Sequence, residues 1–177
     1  MKKITVMTIF GTRPEAIKMA PLALELERRE NIEAICCVTA QHREMLDGVL
    51  AAFGVLPDFD LDLMREGQTL SDITRGVLTG LAPLLAREAP DAVLVHGDTT
   101  TAFAAALACF YAGIPVGHVE AGLRTYDPHN PYPEEFNRRA ISPMATWHFA
   151  PTPAAAANLV REGIPRRRVF CVGNTVV

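Results

Sequence analysis

Short apolar runs rich in β-branched residues alternate with longer helical segments along the chain, and this alternation restricts the fold more than any other feature. Residues 4–10, 32–39, 92–96, 116–119, 147–150 and 169–172 read as strands, with a weaker strand near 59–63. Residues 12–29, 41–53, 69–88, 99–112, 134–145 and 153–162 read as helices. Consecutive apolar residues within a strand mean that both of its faces are covered, and helices between such strands supply the cover. The expected fold is therefore α/β, a doubly wound parallel sheet. Right-handed crossovers bring every strand-to-helix loop to the carboxyl edge, where ligands bind near the point at which strand order reverses. That point is expected between the first strand and the strand ending at His96.

The chain has 177 residues, 49% hydrophobic and 21% charged, enough for one good core and short for two. A net charge of −3 leaves no electrostatic footprint for nucleic acid or an anionic membrane. Arg166-Arg167-Arg168 reads as a solvated turn. The four cysteines have no C-x-x-C spacing and read as buried free thiols in a reducing, cytoplasmic setting. Lys2 and Lys3 before an apolar run imitate a signal peptide, but Arg13 and Glu15 follow too soon. The uncharged stretch 99–119 contains Gly113 and Pro115 and reads as helix, turn and strand, not a membrane span. After the last strand, Gly173-Asn174-Thr175-Val176-Val177 reads as the opening of another helix, so the chain is expected to be part of a larger protein.

Three strand ends carry the candidate chemistry. The first feeds Gly11-Thr12-Arg13-Pro14-Glu15-Ala16-Ile17-Lys18, where Thr12 and Glu15 have capping-box spacing. A helix N-terminus here offers free amides to an anion, and Arg13 and Lys18 bring two cations to the same opening. The pattern G-x-G-x-x-G and the Walker loop are absent, which disfavours dinucleotide and NTPase sites. The second and third are His96-Gly97-Asp98 and His118-Val119-Glu120, two His-x-acid tips on strands expected to be neighbours. Gly97 and Gly122 are expected to leave room for a ligand near the backbone. A proline-rich loop at 121–133 leads into Glu134 and Glu135, with Arg138 and Arg139 four residues on. Glu134 is the functional candidate of the pair, and Glu135 is expected in a solvated ion pair. Were Asp98, Glu120 and Glu134 to converge, like charges would raise at least one pKa, splitting the group into acid and base for proton transfer at carbon.

The stretches GTRPEAIKMAPL, VTAQHREMLD, VLVHGDTTT, IPVGHVEAGLRT, PYPEE-x-NR and GNT occur in order along the whole chain. In them the sequence resembles the non-hydrolysing UDP-N-acetylglucosamine 2-epimerases. The resemblance implies a Rossmann-like N-terminal domain spanning 1–177, half of a GT-B fold, with the active site in a cleft against a C-terminal domain that this chain lacks. It implies reversible epimerisation at carbon 2 of UDP-GlcNAc to UDP-ManNAc by UDP elimination and re-addition, without metal or other cofactor. By matching positions, Asp98, Glu120 and Glu134 are the catalytic carboxylates, and Arg13, Lys18, His96 and Arg138 contact substrate. Gln41, His42, Arg43 and Gln68 match a regulatory UDP-GlcNAc site, although Gly67 stands where some members carry an arginine. The resemblance also implies a homodimer, a place in cell-surface polysaccharide biosynthesis, and an isolated domain that folds without turning over.

Three rival readings use the same residues. A metal-dependent phosphoesterase would recruit His96, Asp98, His118 and Glu120 as ligands. A hydrolysing epimerase would release free ManNAc and UDP. A non-catalytic sugar-nucleotide-binding half would dock on a partner subunit.

Overall fold

A computed structural model describes residues 3–40, 43–63 and 65–175, the side chains of 43–45 excepted. The elements run β1 (Ile4–Phe10), α1 (Arg13–Glu27), β2 (Ile32–Val38), α2 (Arg43–Phe53), β3 (Phe59–Asp60), α3 (Leu70–Glu88), β4 (Ala92–His96), α4 (Thr100–Tyr111), β5 (Val116–Val119), α5 (Glu134–Met144), β6 (Trp147–Ala150), α6 (Pro153–Arg161) and β7 (Val169–Cys171). Arg166–Arg168 forms one exposed 3₁₀ turn before β7.

The strands pair in parallel in the order β3-β2-β1-β4-β5-β6-β7. Strand order reverses between β1 and β4, where the sequence placed the switch point. Alternation explains the two cores. Met7, Ile9, Val93, Val95 and Val116 face α3 and α4, meeting Leu81, Ala102 and Ala105. Val6, Phe10, Leu94 and Val119 face the other way, meeting Ala16, Met19 and Ala20 of α1. Both faces are buried, so the strands had to read as unbroken apolar runs.

Threonines begin four of the helices. Thr12 caps α1 with a reciprocal bond from Glu15, and Thr69 does the same on α3 with Asp72. Thr99 and Thr152 accept from Ala102 and Ala155 at 3.0 and 3.1 Å. Each such cap satisfies an amide that the helix itself cannot.

The differences from the sequence reading have local causes. The weak strand expected at 59–63 is reduced to Phe59–Asp60. Leu61 and Leu63 still donate to Val38 and Thr39, but Asp62 has a φ of 46°, which breaks the pleat. Gly173 turns at φ 80°, and the described residues through Thr175 are not helical. Cys36, Cys37 and Cys109 are buried free thiols, with burial the leading cause holding each at about 12, whereas Cys171 is exposed. No helix among the described residues is long and apolar enough to cross a membrane.

Candidate functional site

The carboxyl edge of β1, β4 and β5 gathers the candidate residues because the switch point opens there. Lys18, on the second turn of α1, leans back and donates to Glu120 Oε2, just past β5. His96, the last residue of β4, sets its Nε2 3.8 Å from the same oxygen, beyond hydrogen-bond range. From α5, Arg138 donates to Asp98 Oδ2, and Asn137 Nδ2 donates to the Asp98 carbonyl at 2.9 Å. Glu134 opens α5 with a buried Oε2 that has no hydrogen-bond partner. Arg13 stands exposed at the start of α1.

These charges do not behave alike. Burial pushes the Asp98 carboxyl up; Arg138 opposes that, while Glu134 and Glu120 add to it. The last two causes place Glu134 and Glu120 each within electrostatic reach of Asp98. Burial would raise Glu120 as well, but His96 and Lys18 outweigh it and hold that carboxyl at about 2. Glu120 also sits at φ 61°, a left-handed conformation that costs a non-glycine residue about 1–3 kcal/mol. Two acids of one cluster are thus driven in opposite directions.

The two His-x-acid tips are not equivalent. Val95 pairs with His118 and His96 with Val119, so alternation sends the two imidazoles to opposite faces. His118 is wholly buried and its Nε2 lies 2.7 Å from the Gly97 carbonyl, to which it donates. That nitrogen is spent on the backbone, so the four-ligand metal set of the phosphoesterase reading does not assemble. Among the described residues no three His, Cys, Asp or Glu side chains gather as a metal site.

Burial pushes His118 down to about 3 against the Gly97 bond, and pushes buried His148 down to about 4, with Arg124 and Arg168 adding. Both begin from an ordinary value of 6.5. Between those values the unfolded chain takes up protons that the folded chain refuses. Stability is therefore whole above pH 6.5 and falls as pH drops towards 4. His118 alone removes up to about 1.4 kcal/mol per pH unit in that window. Glu120, ordinarily near 4.5, adds a loss between 4.5 and about 2. Thermal midpoints should hold from pH 7.5 to about 6.5 and decline from there to 4.5; a flat profile is incompatible with buried neutral imidazoles.

Three expectations are corrected. Glu135 is not solvated: it is fully buried, accepts from the amides of Thr125 and Tyr126 at 3.1 and 3.0 Å, and lies 3.6 Å from Arg138 Nη1. Gly122 makes room for α6 and not for a ligand, since a Cβ there would stand 2.3 Å from the Ala155 carbonyl oxygen. Gly97 does face open space. Two of the amides at the head of α1 are not free, because Glu15 Oε2 accepts from Gly11 and Thr12 at 3.0 and 2.8 Å.

Of the regulatory candidates, Gln41, His42 and the Arg43 side chain lie outside the described residues. Gln68 is committed to its own loop, donating to Leu63 O and accepting from Arg65 N, each at 2.9 Å. Sequence reasoning missed Arg124, whose side chain is fully buried. It binds Glu162 with two bonds of 2.8 Å and Ser142 with a third, locking the loop after β5 onto α5 and the end of α6. Its partners lie 18 and 38 residues away, so no local pattern announces them.

Comparison with known proteins gives the family and the fold. The family model described as UDP-N-acetylglucosamine 2-epimerase matches residues 24–177. The chain is 59% identical over 172 residues to the UDP-N-acetylglucosamine 2-epimerase of Salmonella typhimurium, covering 97% of this chain and 46% of that protein. It superposes with a TM-score of 0.94 on the crystal structure of UDP-GlcNAc 2-epimerase from Neisseria meningitidis bound to UDP-GlcNAc, at 55% identity, covering 98% of this chain and 48% of that one. A putative UDP-N-acetylglucosamine 2-epimerase from Listeria monocytogenes gives 0.96 at 56% identity, covering 98% and 46%. The chain spans about half the length of the curated relatives it matches. Its doubly wound sheet is the Rossmann-like N-terminal half of the GT-B fold of these structures. On sequence, fold and length of match together, this chain belongs to the UDP-N-acetylglucosamine 2-epimerase family.

Proposed function

We propose that this chain is the first half of an enzyme that interconverts UDP-GlcNAc and UDP-ManNAc at carbon 2. The observation that best supports this is the pairing of Lys18 with Glu120 and Arg138 with Asp98 across one switch point, beside Glu134, whose buried Oε2 has no hydrogen-bond partner. Such a cluster suits removal of a proton from carbon. A carboxylate takes the carbon-2 hydrogen, the bond electrons form a double bond to carbon 1, and UDP departs with the electrons of its bond. Re-addition of UDP with a proton delivered to the opposite face of carbon 2 gives the epimer. No electrons leave the substrate, so the step calls for no redox cofactor.

The pKa directions divide the labour. A carboxyl held at about 2 is a weak base, so Glu120 serves by holding Lys18 and His96 and balancing charge. Asp98, pushed upward, and Glu134 carry the protons. Arg13 and Lys18 meet the diphosphate, with His96 and Arg138 as further substrate contacts. A second domain supplies the remaining nucleotide contacts, and the assembly is a homodimer.

The test is incubation of the full-length enzyme with UDP-GlcNAc in deuterated water. Deuterium should enter carbon 2 as UDP-ManNAc appears. Epimer formed with its original hydrogen retained would sink the mechanism, and free ManNAc in place of UDP-ManNAc would establish the hydrolysing reaction. The 177-residue chain alone should show a cooperative thermal transition yet no turnover in the same assay. Sustained epimerisation by that chain would refute the need for a second domain.

A further inference from the structure

The family pattern and the capping-box spacing account for Glu15 as a helix cap, but a cap needs only part of what this side chain does. Glu15 is 1% exposed. Its Oε2 accepts from the amides of Gly11 and Thr12, and its Oε1 accepts from the Thr99 hydroxyl at 2.7 Å, 84 residues away. Thr99 is the residue after Asp98 and caps α4 through the Ala102 amide. One carboxylate therefore bridges the β1–α1 loop, which carries Arg13 and leads to Lys18, to the β4–α4 loop, which carries Asp98.

The other hydrogen bonds described for the β4–α4 loop come from the far side. His118 of β5 holds the Gly97 carbonyl, and Asn137 and Arg138 of α5 hold the Asp98 carbonyl and carboxylate. Glu15 is the contact that relates this loop to α1 among the bonds described. Without it, none of the hydrogen bonds described would join the loop that carries Arg13 directly to the loop that carries Asp98.

We infer that Glu15 is a positioning residue, whose buried carboxylate sets the spacing between the cations of the β1–α1 loop and Asp98 across the switch point. The inference rests on the epimerase reading above. A misplacement of about 1 Å can cost about 100-fold in rate even when binding survives.

The test uses the full-length enzyme. Glu15→Gln keeps the bridge, because its amide oxygen can accept from Gly11 and Thr12 while its amino group donates to the Thr99 oxygen. Glu15→Ala removes it. We expect kcat within about three-fold of the parent for Glu15→Gln, and a fall of about 100-fold for Glu15→Ala with KM changed less than about five-fold. Leu81→Ala, in the core beneath α3, controls for lost stability: assayed well below its midpoint it should keep the parent kcat. Folded Glu15→Ala with a kcat within three-fold of the parent overturns the inference, as does a Leu81→Ala enzyme that loses as much. Should Glu15→Ala fail to fold, Thr99→Val and Thr99→Ser decide the matter. Serine should retain activity and valine should lose at least about ten-fold in kcat; equal rates overturn the inference. An active parent with an indifferent Glu15→Ala form sinks this inference alone. A parent that exchanges no hydrogen at carbon 2 sinks the epimerase reading and this inference with it.

Discussion

Full-length enzyme carrying Asp98→Asn should exchange the carbon-2 hydrogen of UDP-GlcNAc with deuterated water about 10²–10⁴-fold more slowly than the parent. The argument begins with burial, which drives the Asp98 carboxyl upward while Glu134 and Glu120 reinforce the shift and Arg138 resists it. A group poised in this way gives up and regains a proton more readily than one held at about 2, as Glu120 is. Asparagine preserves the shape and the bond from Arg138 but cannot carry the proton. Glu134→Gln should fall into the same range, since Glu134 acts electrostatically on Asp98 and keeps a buried, unpartnered oxygen. Glu120→Gln should also slow exchange severely, by leaving Lys18 without its counter-charge. Rates are compared by deuterium incorporation at saturating substrate, with substrate affinity measured separately. An Asp98→Asn enzyme exchanging at the parent rate removes Asp98 from the reaction.

The second large effect falls on a residue first read as ordinary surface. Glu135→Ala should destabilise the chain by about 3–5 kcal/mol, because it strands a buried partner and two amides at once. The amides of Thr125 and Tyr126 lose their only described acceptor, and Arg138 loses a neighbour 3.6 Å away. Tyr126 sits at φ 64°, so the loop conformation that Glu135 holds is one the backbone does not choose freely. Glu135→Gln should cost less, since one oxygen still accepts, but its amino group would face a donor. Denaturant midpoints for the two variants check this; a Glu135→Ala protein as stable as the parent contradicts the buried role. Activity should follow stability here, because Arg138 binds Glu135 on one side and Asp98 on the other.

Glu134 and Glu135 show where sequence reasoning reaches its limit. Both are acids in the first turn of α5, and the helix dipole favours either equally. Which one faces the pocket and which one enters the loop depends on the helix's rotation against its neighbours. The paired histidine tips teach the same lesson. They look alike in sequence, yet the register of β4 against β5 sends His96 towards Glu120 and His118 into the core.

Local periodicity was enough to determine the elements, the parallel sheet and the switch point, because strand runs, caps and crossover handedness are short-range physics. The conjunction of Lys18 with the acids was also foreseeable, since helical side chains lean towards the N-terminus. What only the tertiary structure decided were pairings between distant loops: Glu15 with Thr99, Asn137 and Arg138 with Asp98, and Arg124 with Glu162. It also decided that Gly122 serves packing and that Glu15 occupies the amides of Gly11 and Thr12. Hydrogen bonds spanning 38 to 84 residues leave no periodic trace in the chain, because their partners become neighbours only once the sheet has set their places.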